Sequence, residues 1–140
     1  MNIKKIEKEL LKLSDKAYKR NEMPVSAILV DSRGKIISKA YNKKNIKKNV
    51  LYHAEILCLI KAFKKMRRWN LNDCTLYVTL EPCNMCKEVI EEARINKVFY
   101  ILNKGNITNK YKKTSYEHMY GVNECNFDKY VKNFFNSLRK

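Results

Sequence analysis

A chain of 140 residues is long enough to bury a core without disulfides or a metal staple, so a metal site in it is expected to serve chemistry rather than folding. Thirty Lys and Arg against fourteen Asp and Glu leave a formal charge of +16, which favours a polyanionic partner, nucleic acid first, although a coding bias toward Lys, Asn and Ile produces the same total. The 45% hydrophobic content excludes a disordered chain, no stretch approaches a membrane span, and Met1 to Glu7 lacks the apolar run of a secretory signal; a cytoplasmic location is expected, where the five cysteines need not pair.

From Asn2 to Arg20, Ile3, Ile6, Leu10, Leu13 and Ala17 recur at helical spacing, and Asn21 is a plausible stop. Pro24 introduces Val25 to Val30, and Asp31-Ser32-Arg33-Gly34 turns the chain into Lys35 to Tyr41, which predicts a β-hairpin. Asn42 to Leu51, rich in Asn and Lys and without periodicity, reads as a loop. His53 to Met66 reads as a helix with Ile56, Leu57, Ile60 and Phe63 on one side. Its first turn would hold His53 and Glu55 at the positive end of the dipole, favouring the carboxylate and weakening the hold of His53 on a proton.

Thr75 to Leu80 is strand-like, and Glu81-Pro82 closes it. Pro82 suits a helix entry, so Cys83 and Cys86 fall at i and i+3 in the first turn of a helix from Cys83 to Arg94, with their sulfurs on one face. Lys97 to Leu102 completes a β-α-β unit, which implies a parallel strand pair. Asn103 to Ser115 is basic and loop-like, and Tyr116 to Val122 has room for a short strand. The last helix, Phe127 to Leu138, places Tyr130, Val131, Phe134, Phe135 and Leu138 on a face that reads as core. Neither a repeat nor a linker divides residues 1–140, which predicts one domain.

His53, Cys83 and Cys86 are borderline or soft ligands that leave one tetrahedral position open, as in a catalytic zinc site. Glu55, two residues from the His, is placed to carry protons to and from a water there. A redox Cys pair needs no upstream His-x-Glu, and a closed structural zinc needs a fourth ligand, which His118 or Cys125 would supply only by chance. His-x-Glu followed by Pro-Cys-x-x-Cys is the signature of zinc-dependent nucleobase deaminases. Cys58, Cys74 and Cys125 lack partner spacing and read as packing or surface residues.

Acid-free basic runs occur at Lys39 to Lys48, Lys61 to Arg68 and Lys104 to Lys113. The first and third fall largely in loops, where they could line the approach of a phosphate backbone; the second lies at a helix end, where cations also complement the dipole. Tyr111, Tyr116 and Tyr120 interleave with basic residues and either stack on unpaired bases or pack inside the protein.

Glu22-Met23-Pro24-Val25-Ser26-Ala27, Ala40-Tyr41-Asn42, His53-Ala54-Glu55, Trp69-x-Leu71, Cys74 through Cys86, Arg94-Ile95 and Phe134-Phe135 together resemble the bacterial tRNA-specific adenosine deaminases along most of the chain. The resemblance implies a three-layer α/β/α cytidine-deaminase-like fold, with a central mixed sheet of about five strands, and a homodimer that converts adenosine to inosine at the wobble position of a tRNA anticodon loop. It also implies zinc on His53, Cys83 and Cys86, Glu55 as catalytic proton carrier, Asn42 hydrogen-bonded to the flipped adenine and the Ala54 backbone against the base edge. The chain departs from the family pattern at Val50-Leu51-Tyr52, Lys87-Glu88 and Ile101-Leu102-Asn103-Lys104. Competing readings are a deaminase of a free base or nucleotide on the same scaffold, and a catalytically silent zinc-containing RNA-binding partner subunit.

Overall fold

In a computed structural model, described for residues 2–103 and 113–138, the elements follow in the order α1 (Ile3–Lys19), β1 (Ser26–Val30), β2 (Ile36–Tyr41), α2 (Ala54–Met66), β3 (Thr75–Leu80), α3 (Asn84–Glu92), β4 (Lys97–Leu102), β5 (Ser115–His118) and α4 (Glu124–Leu138). The strands form one sheet in the order β2-β1-β3-β4-β5. β1 runs antiparallel to both β2 and β3, whereas β3, β4 and β5 are mutually parallel, so the sheet is mixed as expected.

Alternation along the strands divides the core into two layers. Ala27 and Leu29 of β1, Leu76 and Val78 of β3 and Val98 of β4 face α2 and α3, where they meet Ile56, Leu59, Ala62, Cys86 and Ile90. Ile28 and Val30, Tyr77 and Ile101 point the other way, onto Ile6, Leu10 and Leu13 of α1 and Phe127 of α4. Every residue of β1 is buried, because this strand has neighbours on both edges and helices on both faces. The three-layer α/β/α arrangement follows from these two apolar faces.

Local chemistry sets the boundaries. The Asn2 side chain caps α1 by accepting from the Lys4 and Lys5 amides. In the hairpin turn, Asp31 Oδ1 accepts from the backbone of Arg33 and Lys35 at 2.9 Å, and Gly34 takes a φ of 83°, which a glycine adopts without strain. Two helix starts lie later than predicted. His53 and Cys83 are the N-caps of α2 and α3 rather than members of their first turns, and Pro82 accordingly lies ahead of the cap. The strand expected within Tyr116 to Val122 occupies Ser115–His118, and α4 starts three residues early, at Glu124.

Lys87 is buried to 1% exposure, with Nζ 3.1 Å from Glu81 Oε2 and 4.8 Å from the centre of the Tyr116 ring. A buried cation with a carboxylate and an aromatic face on it is costly to break from one side. Lys87→Ala is expected to lower stability by about 3 kcal/mol, and Lys87→Met by less because it keeps the volume, both read from urea unfolding.

Candidate active site

The C-terminal end of β3 and the N-termini of α2 and α3 converge on one point, and each contributes to a shared cleft. As N-caps, His53 and Cys83 have extended backbones (φ −71° for both), and neither side chain caps its own helix. Both side chains are thereby directed outward, toward each other. Cys86, one turn into α3, brings its sulfur to the same point. His53 Nδ1 lies 3.7 Å from Cys83 Sγ and 3.5 Å from Cys86 Sγ, and one donor atom from each of the three residues falls within 4.8 Å of the others.

These separations can be tested against a metal. Zn–S bonds of about 2.3 Å and Zn–N bonds of about 2.1 Å at a tetrahedral angle put sulfur and nitrogen roughly 3.6 Å apart. The observed distances bracket that edge, and the nitrogen and sulfur donors suit zinc. Among the described residues no other group of His, Cys, Asp and Glu has this arrangement. His118, considered as a fourth ligand, is held elsewhere: its Nε2 lies 2.9 Å from the Ile101 carbonyl and 2.6 Å from Glu124, while Cys125 is exposed on α4.

The charge state of the metal-free trio reflects proximity. Cys83 falls to about 3 from its usual 9.0, first through its hydrogen bond with Cys86 and also through His53, and is therefore a thiolate. Cys86 is raised, first by that same bond with Cys83, and keeps its proton. His53 is raised, chiefly by its hydrogen bond to Cys83 and against the lowering effect of burial, so the Cys83 thiolate strengthens the hold on a proton that the helix end was expected to weaken. Zinc bound by this group would displace the proton that Cys86 keeps.

Glu55, in the first turn of α2, is 4% exposed, and its pKa is raised above the ordinary 4.5, first by desolvation. Its Oε1 is buried and has no hydrogen-bond partner among the described residues. A buried acceptor in that condition costs free energy unless something outside the protein satisfies it, such as the water or substrate of an open metal position.

A cavity of about 420 Å³ opens over these residues and is lined by Asn42, Ala54, Glu55, His53 and Cys83, so every residue singled out from the sequence except Cys86 borders it. Cys86 is fully buried beneath, as the donor farthest from solvent. Leu80 and Glu81, from the end of β3, and Met23 and Val25, ahead of β1, complete the base. Phe134, Phe135 and Leu138 of α4 form an apolar wall. This corrects the expectation that the α4 face is only core. Phe134 is buried, but Phe135 and Leu138 are 47% and 65% exposed. An apolar helix face at i, i+3, i+4 and i+7 is wide enough to take two consecutive Phe, so the sequence of α4 held no signal that separates its core side from its cavity wall.

Residues 1–102 match the family described as the cytidine and deoxycytidylate deaminase zinc-binding region. This chain belongs to that family. Zinc is the family's metal, and the donor set fits it. A tRNA-specific adenosine deaminase of Rickettsia bellii is 46% identical over 94 residues, covering 66% of this chain and 65% of its own length. The chain thus spans just under two thirds of that relative. Among solved structures, one from studies of A-to-I editing by tRNA:A34 deaminases superposes with a TM-score of 0.74 at 27% identity, covering 84% of this chain and all of its own. The guanine deaminase of Bacillus subtilis superposes with a TM-score of 0.68 at 31% identity, covering 74% of this chain and 66% of its own.

The remaining sequence expectations divide by location. The loop from Asn42 to Leu51 contains Lys43, Lys44, Lys47 and Lys48, and Lys44 lines the cavity. The run at Lys61 to Arg68 is committed to structure: Lys61 and Lys65 donate to the Lys39 and Ile37 carbonyls, and Arg68 pairs with Asp73 at 2.8 Å. The run Lys104 to Lys113 and Tyr111 lie outside the described residues, except for Lys113. Tyr116 lies against Lys87, whereas Tyr120 is 81% exposed.

Proposed function

We propose that this chain is a zinc-dependent hydrolase that deaminates adenosine to inosine at the wobble position of a tRNA anticodon loop, acting as a single deaminase domain. The observation that carries the chemistry is the buried, unsatisfied Glu55 carboxylate oxygen beside a three-donor metal group at the base of a cavity. Support for the substrate comes from the tRNA-specific relatives and from the basic loop at the cavity mouth.

In this reading His53, Cys83 and Cys86 hold the zinc. Zinc bound there supplies Lewis acidity, lowering the pKa of a water at its remaining position from 15.7 in bulk toward about 7. Glu55 takes a proton from the attacking water and delivers it to the ring nitrogen next to the carbon under attack. The water oxygen bonds to the carbon bearing the exocyclic amine. Glu55 then carries the second water proton to the exocyclic amine nitrogen, its C–N bond breaks, and ammonia leaves as adenosine becomes inosine. A carboxyl whose pKa burial has raised exchanges protons with less mismatch than an ordinary Glu. Asn42 is assigned a hydrogen bond to the flipped adenine, the Ala54 backbone is assigned to the base edge, and the Phe134–Phe135 wall keeps bulk water from the reacting carbon.

The deciding assay is inosine formation on total tRNA, with sequencing of the modified position. RNA binding is expected to weaken with salt, with a log–log slope of roughly −2 to −3 if three or four lysines neutralise phosphates. A salt-independent deaminase with full activity on a free base would instead support the second reading, a free purine deaminase, which the likeness to guanine deaminase favours. We assign a homodimer on the strength of the apolar side chains exposed near α2, Ile60 at 48% and Trp69 at 60%, and sedimentation equilibrium tests it. No helix among the described residues is long and apolar enough to cross a membrane.

A further inference from the structure

Glu22 is fully buried, yet it belongs to no ion pair among the described residues. Its Oε1 accepts from the Asn45 amide at 3.0 Å and its Oε2 from the Ile46 amide at 2.6 Å. Both donors belong to the loop between β2 and α2, whose two ends are site residues: Asn42 begins it and His53 follows it. The segment carrying Glu22 is bound to the loop at further points. The Asn42 amide donates to the Val25 carbonyl at 3.0 Å, and the Asn45 side-chain amide to the Asn21 carbonyl at 3.4 Å. The loop closes on itself through Lys43 N to Tyr52 O and Asn49 N to Lys44 O, both 3.0 Å.

A carboxylate given to two successive backbone amides does for this loop what a cap does for a helix: it fixes peptide orientation and hence the direction of the side chains. Here those side chains are cationic. Lys44, Lys47 and Lys48 are exposed, Lys44 borders the cavity, and Lys43 stands 4.9 Å over the Tyr41 ring. An apolar side chain in place of Glu22 would leave the Asn45 and Ile46 amides without their carboxylate acceptor and four lysines on a loop held only by its remaining bonds at Asn42, Lys43, Asn45 and Asn49.

We propose that Glu22 is a positioning residue whose buried carboxylate clamps the loop from Lys43 to Leu51, so that its lysines meet the phosphates of an RNA strand entering the cavity. This rests on the RNA reading of the substrate. Glu22 touches no reacting atom; it acts through the loop.

The test uses the zinc-loaded full chain, the variants Glu22→Gln and Lys44→Gln/Lys47→Gln, their combination, and a labelled tRNA anticodon stem-loop as probe. In Glu22→Gln one oxygen is replaced by a donor facing a donor. The expected result is fast hydrogen exchange at Asn45 and Ile46, with Leu29 and Val78 in the sheet still protected and zinc content unchanged. RNA affinity should fall about tenfold, and the salt slope should shrink by roughly 0.7 for each phosphate that the lysines no longer neutralise. The lysine pair should also cost less affinity in the Glu22→Gln background than in the wild type. Equal costs in the two backgrounds, or protection at Asn45 and Ile46 that survives Glu22→Gln, would overturn the clamp. If Glu22→Gln does not fold, the surface pair decides: unchanged RNA affinity in Lys44→Gln/Lys47→Gln removes the loop from the RNA path. A wild-type chain that makes no inosine in RNA sinks the functional reading alone, since exchange at Asn45 and Ile46 reports on the clamp without substrate.

Discussion

Glu55→Gln is expected to lower kcat by about 10²- to 10⁴-fold with the zinc content intact, because the amide fills the same volume but cannot accept and return a proton. A variant that kept wild-type turnover would remove Glu55 from the mechanism. The same substitution should also make the zinc-free protein more stable at neutral pH. Burial raises the Glu55 pKa above its ordinary 4.5, so the folded chain binds this proton more tightly than the unfolded chain does. The associated stability is present in full below the ordinary value and is lost as pH rises through the raised one. Glu55→Gln abolishes that loss, and denaturation of the zinc-free variants at several pH values measures it. The gain in stability together with the loss of turnover would mark a side chain retained for chemistry at the expense of folding.

Removal of a metal ligand should have an equally large effect on activity and a small one on the fold. His53→Ala or Cys86→Ala is expected to abolish stoichiometric zinc and to reduce turnover by more than about 10³-fold, with circular dichroism nearly unchanged. The sheet and its two apolar layers carry stability; Cys86 belongs to one of them, but Ala at that position still packs, whereas His53 and Cys83 cap two helix N-termini at the layer's edge. Chelation of the wild type should produce the same state, reversed by zinc. Cys58→Ala is the matched control. Cys58 is buried against Ser38, its thiol is pushed up to about 12, and it is not among the donors, so zinc should remain bound. If Cys86→Ala lost its fold along with the metal, the zinc would be structural.

The spacing of His53, Glu55, Cys83 and Cys86 is what points to the proposed chemistry, because metal coordination restricts residue type and separation more tightly than packing does. Periodicity likewise locates all four helices, the hairpin and the parallel β3–β4 pair, since each buries a continuous apolar stripe or alternating face. It places the starts of α2 and α3 one residue early, at His53 and Cys83, because neither is a common capping residue; each caps by backbone position while its side chain turns toward the site.

Only the tertiary structure decided which neighbours each group meets. Glu22 is an ordinary acid in sequence and becomes a clamp because the packed chain brings two loop amides onto its buried carboxylate. Lys87, one of the places where the chain departs from the family pattern, is accommodated by Glu81, on the approach to α3, and by Tyr116 of β5. Phe135 and Leu138 follow the core stripe of α4, yet the helix ends over the cavity, leaving them to wall it. Local sequence thus determined the elements and singled out the candidate reacting groups, whose requirements of residue type and spacing can be read without packing. The environment of each group, which sets its proton affinity, its orientation and what it can bind, depends on contacts between residues far apart in the chain, and these exist only once the layers have packed.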